Sequence, residues 1–140
     1  MSLLNRASLR RLSQARVADA QVLLANSRFS AAYYIAGYGV ECALKARIAQ
    51  NTRKSDFPDK ALVNNSHTHD LGKLMGLAGL IPKLDLATSA DSTLQNYWLV
   101  AKDWSEQSRY NVSIDKQTAQ DLLTAITDPT HGVLAWIEKN

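Results

Sequence analysis

Residues 31–50 read AAYYIAGYGVECALKARIAQ, and this segment sets the architecture to expect. Its apolar residues follow no alternating pattern and cover a helix almost all the way round. A helix of that kind belongs in the middle of a bundle or a subunit interface, with neighbours on several sides. Ala32, Ala36, Gly37, Gly39 and Ala43 would let other backbones approach closely. The two glycines each cost about 1 kcal/mol of helix propensity, so close packing is the expected compensation. Glu41 and Lys45 are spaced i,i+4 on the side that carries Tyr34 and Tyr38. A charge in such a setting needs a partner. The expectation is that Glu41 pairs with Arg16 or Lys45 and ties the first two helices together, which is a structural role.

On the N-terminal side, the periodicity predicts a first helix over residues 5–26. Leu9, Leu12, Ala20, Leu23 and Leu24 share one face, with Ser13 and Arg16 among them, while Arg6, Arg10 and Arg11 fall on the solvated flank. Ser30 is a natural N-cap for the central helix. On the C-terminal side, residues 51–66 hold Pro58 and Asn64-Asn65 and read as a loop with at most one helical turn. A short helix follows over 68–78, weakened by Gly72 and Gly76, and the chain turns around Pro82. Thr88 or Ser89 caps the next helix, with Asp91 in a capping-box position. Leu94, Tyr97, Trp98, Ala101 and Trp104 form its inner face, and it ends near Arg109-Tyr110. Residues 111–114 connect it to a last helix capped by Asp115. There Ala119, Leu122, Leu123, Ile126, Val133 and Ile137 keep phase across Pro129, which predicts one kinked helix. The sum is an all-α chain, an antiparallel up-and-down bundle of four long helices and one short helix, in a single domain over 1–140.

Composition agrees. At 140 residues, with 46% hydrophobic and 21% charged residues, the chain can bury a full core. A lone cysteine, Cys42, leaves neither an intrachain disulfide nor a zinc framework. No apolar run reaches bilayer length, and the N-terminal MSLLNRASLRRLSQAR lacks the pattern of a secretory signal, so a cytoplasmic protein off the membrane is expected. Residues 1–54 carry nine Lys/Arg against two acids, a net +7, whereas the remainder carries seven against eleven, a net −4. That asymmetry suits either a basic face for phosphates or the meeting of unlike halves of two subunits.

Chemistry-bearing residues are few. His67-Thr68-His69-Asp70 places two imidazoles and a carboxylate together, as a metal site would. Alternate histidines opening a helix do not share a metal readily, and no second ligand cluster completes the set. Capping and packing are the expected roles, with no metal and no cofactor. Arg109 and Tyr110 close a helix, where an arginine satisfies free carbonyls or, alternatively, holds a phosphate beside the phenol. His131 lies by the Pro129 kink and reads as a surface or kink residue. Trp98, Trp104 and Trp136 stand at core spacing, and Cys42 reads as buried and inert. There is no phosphate-binding glycine loop and no nucleophile elbow.

The order of these features resembles that of HEPN domains, the higher eukaryotes and prokaryotes nucleotide-binding family. FSAAYYIAGYGVECALKARIA is similar to the family's second helix in Glu41, Leu44 and Lys45. HTHDLGKL resembles its His-x-His-Asp-Leu segment in His67, His69, Asp70, Leu71 and Leu74, and WSEQSRYN resembles its Arg-Tyr landmark in Arg109 and Tyr110. The resemblance spans about residues 5–138. It implies a bundle of about five helices that forms a homodimer. Members include RNA-cleaving toxins and defence nucleases as well as non-catalytic partners of small nucleotidyltransferases.

The nuclease members carry an Arg followed, after four to six residues, by a His. After Arg109 those positions hold Ile114, Asp115 and Lys116. Arg109 is therefore carried over as a phosphate-binding candidate, and no catalytic histidine is. The expected protein is a non-catalytic homodimer of toxin–antitoxin or defence type. It would bind nucleotide, RNA or a nucleotidyltransferase partner near Arg109, Tyr110, His67 and His69, with Arg16, Glu41, Lys45 and Asp70 forming a structural polar network. Two alternatives stand beside it: a metal-independent RNA-cleaving toxin with a non-standard base, and a helical interaction module with no ligand.

Overall fold

The computed structural model describes residues 5–53 and 67–140, and among these residues the chain is all-helical. Asn5 opens helix α1 (Arg6–Ala25) by a reciprocal cap: its Oδ1 accepts from the Ser8 N–H, and Ser8 Oγ accepts from the Asn5 N–H. Helix α2 (Phe29–Arg53) returns antiparallel along α1, with the Ser13 hydroxyl donating to the Gly39 carbonyl at 2.7 Å where the two cross. Leu9, Ser13, Val17 and Ala20 form the buried stripe of α1; Leu12, Leu23 and Leu24 are only partly covered, and Arg10 and Arg11 are exposed.

Helix α2 is central, as its composition predicts. It touches α1, helix α3 (Leu71–Leu77), the 3-10 helix Glu106–Tyr110, helix α6 (Lys116–Thr127) and helix α7 (Val133–Lys139). Its small residues are used for close approach. A Cβ at position 37 would overlap the Trp104 indole, and one at position 39 would meet Val17. Ser30 does not cap α2, which starts at Phe29; the Ser30 hydroxyl instead accepts from the Ile114 N–H at 3.1 Å. Residues 51–53 continue α2, and Asn51 Nδ2 reaches the Ala78 carbonyl. The rest of the expected loop, with Pro58 and Asn64-Asn65, lies outside the described residues.

Where the sequence predicts four long helices and one short, the described residues carry two long ones, α1 and α2, and five of 7–12 residues. The differences have local causes. Helix α3 begins at Leu71, because Asp70 caps it through the Lys73 N–H. Pro82 stands in the first turn of helix α4 (Ile81–Ala90), where its missing N–H costs nothing, so it starts a helix rather than a turn. Thr88 and Ser89 donate back to the Leu84 and Asp85 carbonyls inside α4. The true cap of helix α5 (Ser92–Lys102) is Asp91, which accepts from the Thr93 and Leu94 N–H groups. Helix α5 ends before Trp104, and Ser105 then caps the separate 3-10 helix that carries Arg109 and Tyr110.

The expected single kinked helix across Pro129 is two helices. Asp128 Oδ1 accepts from the Thr130 and His131 N–H groups and turns the chain between α6 and α7. Ile126, Val133 and Ile137 nevertheless all reach the core, so the apolar phase survives the break. His131 Nδ1 lies 2.7 Å from Asp91 Oδ2 and ties this turn to the start of α5. Among the described residues no helix is long and apolar enough to cross a membrane.

Candidate functional site

Tyr34, Tyr38, Glu41 and Lys45 follow one another along a single stripe of α2, each about one helical turn from the next. Two other segments face this stripe. The extended residues just before α3 bring His69, and the 3-10 helix brings Glu106 and Arg109, which its three-residue period places on one edge. Trp104 seats this helix against α2, stacking on Tyr34 with ring centres 6.1 Å apart.

Glu41 is 2% exposed, and its carboxylate is matched by Lys45 Nζ at 3.1 Å and His69 Nδ1 at 3.0 Å. His69 Nε2 lies 3.3 Å from Glu106 Oε2, and the same oxygen lies 3.9 Å from Arg109 Nη1. Arg109 Nη2 donates to the Tyr110 hydroxyl at 2.8 Å while the guanidinium lies over the Tyr110 ring. A continuous polar chain therefore runs Lys45–Glu41–His69–Glu106–Arg109–Tyr110, from the buried face of α2 to the surface. The hydrogen bond to Tyr110 and its charge, with Glu106 and Tyr34 adding, raise the Arg109 pKa further above its ordinary value. Arg109 thus stays cationic at every working pH.

The structure brings together Glu41, Lys45, His69, Arg109 and Tyr110, and it adds Glu106, which pattern reasoning missed. One signal was available: Glu106 stands three residues before Arg109 in WSEQSRYN. His67 is exposed and outside the polar chain, and Asp70 is occupied as the α3 cap. Arg16 does not reach Glu41; its Nε lies 3.3 Å from Asp19 Oδ2, one turn along α1. Cys42 is buried, and its thiol is pushed up to about 11 chiefly by desolvation, so it is no nucleophile at neutral pH.

Two depressions lie along this polar chain, one at its His69–Glu106 part and one at Arg109. One of about 330 Å³ is lined by His69, Asp70, Trp104 and Glu106. The larger, about 600 Å³, lies between the α1–α2 turn and the segment after the 3-10 helix and takes in Arg28, Ser30, Tyr34 and Arg109. Among the described residues no cluster of three His, Cys, Asp or Glu side chains could hold a metal ion. The site can therefore offer fixed cations, hydroxyls and one aromatic face to an anion. No family model matches the chain, and no curated protein or solved structure matches it significantly.

Proposed function

We propose that this chain is a HEPN-like protein of the cytoplasm, an antiparallel up-and-down helical bundle acting as a homodimer. It binds a nucleotide, RNA or a nucleotidyltransferase partner at Arg109 and Tyr110, without catalysing a reaction. One observation carries the reading: His69 Nδ1 is hydrogen-bonded to Glu41, and its Nε2 lies 3.3 Å from Glu106. Both ring nitrogens thus face carboxylates of the chain itself rather than a ligand at Arg109, which leaves His69 poorly placed to move a proton there. The cation and the Tyr110 ring remain available for a phosphate and for stacking.

RNA cleavage is the second reading, and one contact favours it. Glu106 stands between His69 and Arg109, where a carboxylate could take a proton from a substrate whose phosphate Arg109 holds. Incubating folded protein with a mixed RNA pool, with and without divalent metal, separates the two. The binding reading expects intact RNA and a complex that Arg109→Ala weakens. Cleavage abolished by Glu106→Gln and Arg109→Ala would replace it with the toxin-like enzyme, and failure to bind either nucleotide or RNA would leave the partner module. Light scattering at micromolar concentration checks the dimer, and a stable monomer would remove it.

A further inference from the structure

The larger groove contains a second arginine that the polar chain does not use. Arg28, in the tight turn between α1 and α2, lines it together with Arg109, and no Asp or Glu lines it. Arg28 is exposed and makes no ion pair among the described residues. Arg109 is approached by Glu106 from the other side at 3.9 Å, too far for a hydrogen bond. Two arginines lining one groove that has no acidic residue in its wall make it favourable for an anion. Ser30 adds a hydroxyl: its oxygen accepts from the Ile114 N–H, which leaves its own proton to donate. Beside the polar Ser27 and Asn111, the wall has an apolar part with Phe29, Ile35 and Val112, the last 91% exposed. A volume near 600 Å³ lies in the range of sites for small organic ligands and exceeds what a bare phosphate fills.

We infer that Arg28 and Arg109 together form a clamp for a terminal phosphate monoester, whose organic body lies on the Phe29–Ile35–Val112 wall. Charge separates this from a site for internal RNA phosphates. A phosphodiester carries one negative charge and is matched by one arginine, whereas a monoester carries nearly two at neutral pH and matches both. The inference rests on the nucleotide- or RNA-binding reading above and narrows it: the ligand is a mononucleotide or the 5′-phosphorylated end of an RNA, and Arg28 selects it.

Isothermal titration at pH 7.5 tests this with AMP, adenosine 3′,5′-cyclic monophosphate, and a hexameric RNA bearing either a 5′-phosphate or a 5′-hydroxyl. The proteins are wild type, Arg28→Ala, Arg28→Lys, Arg109→Ala and, as a charge control outside the groove, Arg11→Ala. The monoester ligands should bind about tenfold or more tighter than their diester or hydroxyl counterparts, the value of roughly one charge-assisted contact. Arg28→Ala should erase that preference, Arg28→Lys should restore part of it, and Arg11→Ala should leave it intact. AMP and the 5′-phosphorylated hexamer compared with each other identify which source the groove takes. Equal affinity within both pairs, AMP with its cyclic diester and 5′-phosphate with 5′-hydroxyl RNA, or a preference unchanged in Arg28→Ala, overturns the clamp while leaving the binding reading in place. No binding of any of the four ligands by folded wild type overturns both.

Discussion

Glu41 and Gly37 show how much of this protein depends on single atoms in α2. The Glu41 carboxylate is buried and relies on Lys45 and His69 for its charge balance. Glu41→Gln keeps the shape and removes the charge that Lys45 and His69 face. Removing one member of a buried pair costs about 3–5 kcal/mol, and partial exposure of Lys45 and His69 brings the expected loss down to about 1–3 kcal/mol. Urea unfolding measures it, and a midpoint equal to wild type would show that the pairing contributes nothing. Glycine substitutions offer a contrast of sign. Gly37→Ala gains about 1 kcal/mol of propensity but drives a methyl group into the Trp104 ring, and overpacking of that kind costs about 1–3 kcal/mol or more. The net effect should be destabilising, with a shift in tryptophan fluorescence. Gly76→Ala meets only Ile81 Cγ1 at 4.0 Å, so it should stabilise by up to about 1 kcal/mol. The sequence marks all helical glycines alike; the neighbour across the interface is what separates them.

Among the elements, α1 and α3 end by the same device with different residues. After α3, Gly79 takes φ 75°, and the Leu80 N–H reaches the Met75 carbonyl. After α1, Ser27 takes φ 62°, and the Arg28 N–H reaches the Leu23 carbonyl. A serine in the left-handed region carries a steric cost that glycine avoids. Ser27→Gly should therefore raise stability by about 0.5–1 kcal/mol, read as a higher melting temperature. A lower one would mean that the Ser27 side chain contributes more than its backbone strain removes. The same turn holds Arg28, so a clamp residue sits on a strained but tightly hydrogen-bonded connection. Element boundaries were legible where a side chain caps a helix locally, as Asn5 and Asp115 do. They were missed where competing caps lay within a few residues, as with Thr88, Ser89 and Asp91. A propensity argument cannot choose among hydroxyls and carboxylates that can each bond backward or forward.

The whole molecule should be acid-sensitive for a reason that can be named. Asp91 has its carboxyl held below the ordinary aspartate range first by the hydrogen bond to His131 and then by the Leu94 N–H. Asp128 is lowered by the His131 and Thr130 N–H groups, and Asp115 by Thr118. In each case the folded chain keeps its charge at a pH where the unfolded chain takes up a proton. Their contribution is fully present above about pH 4 and is lost as the pH falls through the lowered folded values. Urea midpoints followed from pH 6 to pH 2.5 should stay level, as far as these groups are concerned, and then drop. Asp91→Asn should flatten that drop. An unchanged acid slope in this variant would separate the His131 contact from global stability.

The central apolar helix, the inward stripe of α1 and the apolar phase of α6 and α7 were all readable along the chain, because helical periodicity is a property of neighbouring residues. So was the supply of candidates, from Glu41 and Lys45 to His69, Arg109 and Tyr110. Their arrangement was not. Glu41 meets His69 across 28 positions, and Arg28 meets Arg109 in one groove only when the α1–α2 turn packs beside the segment after Tyr110. Arg16 shows the reverse: a stripe position suggested Glu41, and the nearer Asp19 took the charge. Periodicity ranks which residues face inward, whereas the choice of partner depends on distances between segments remote in sequence, and packing alone sets those.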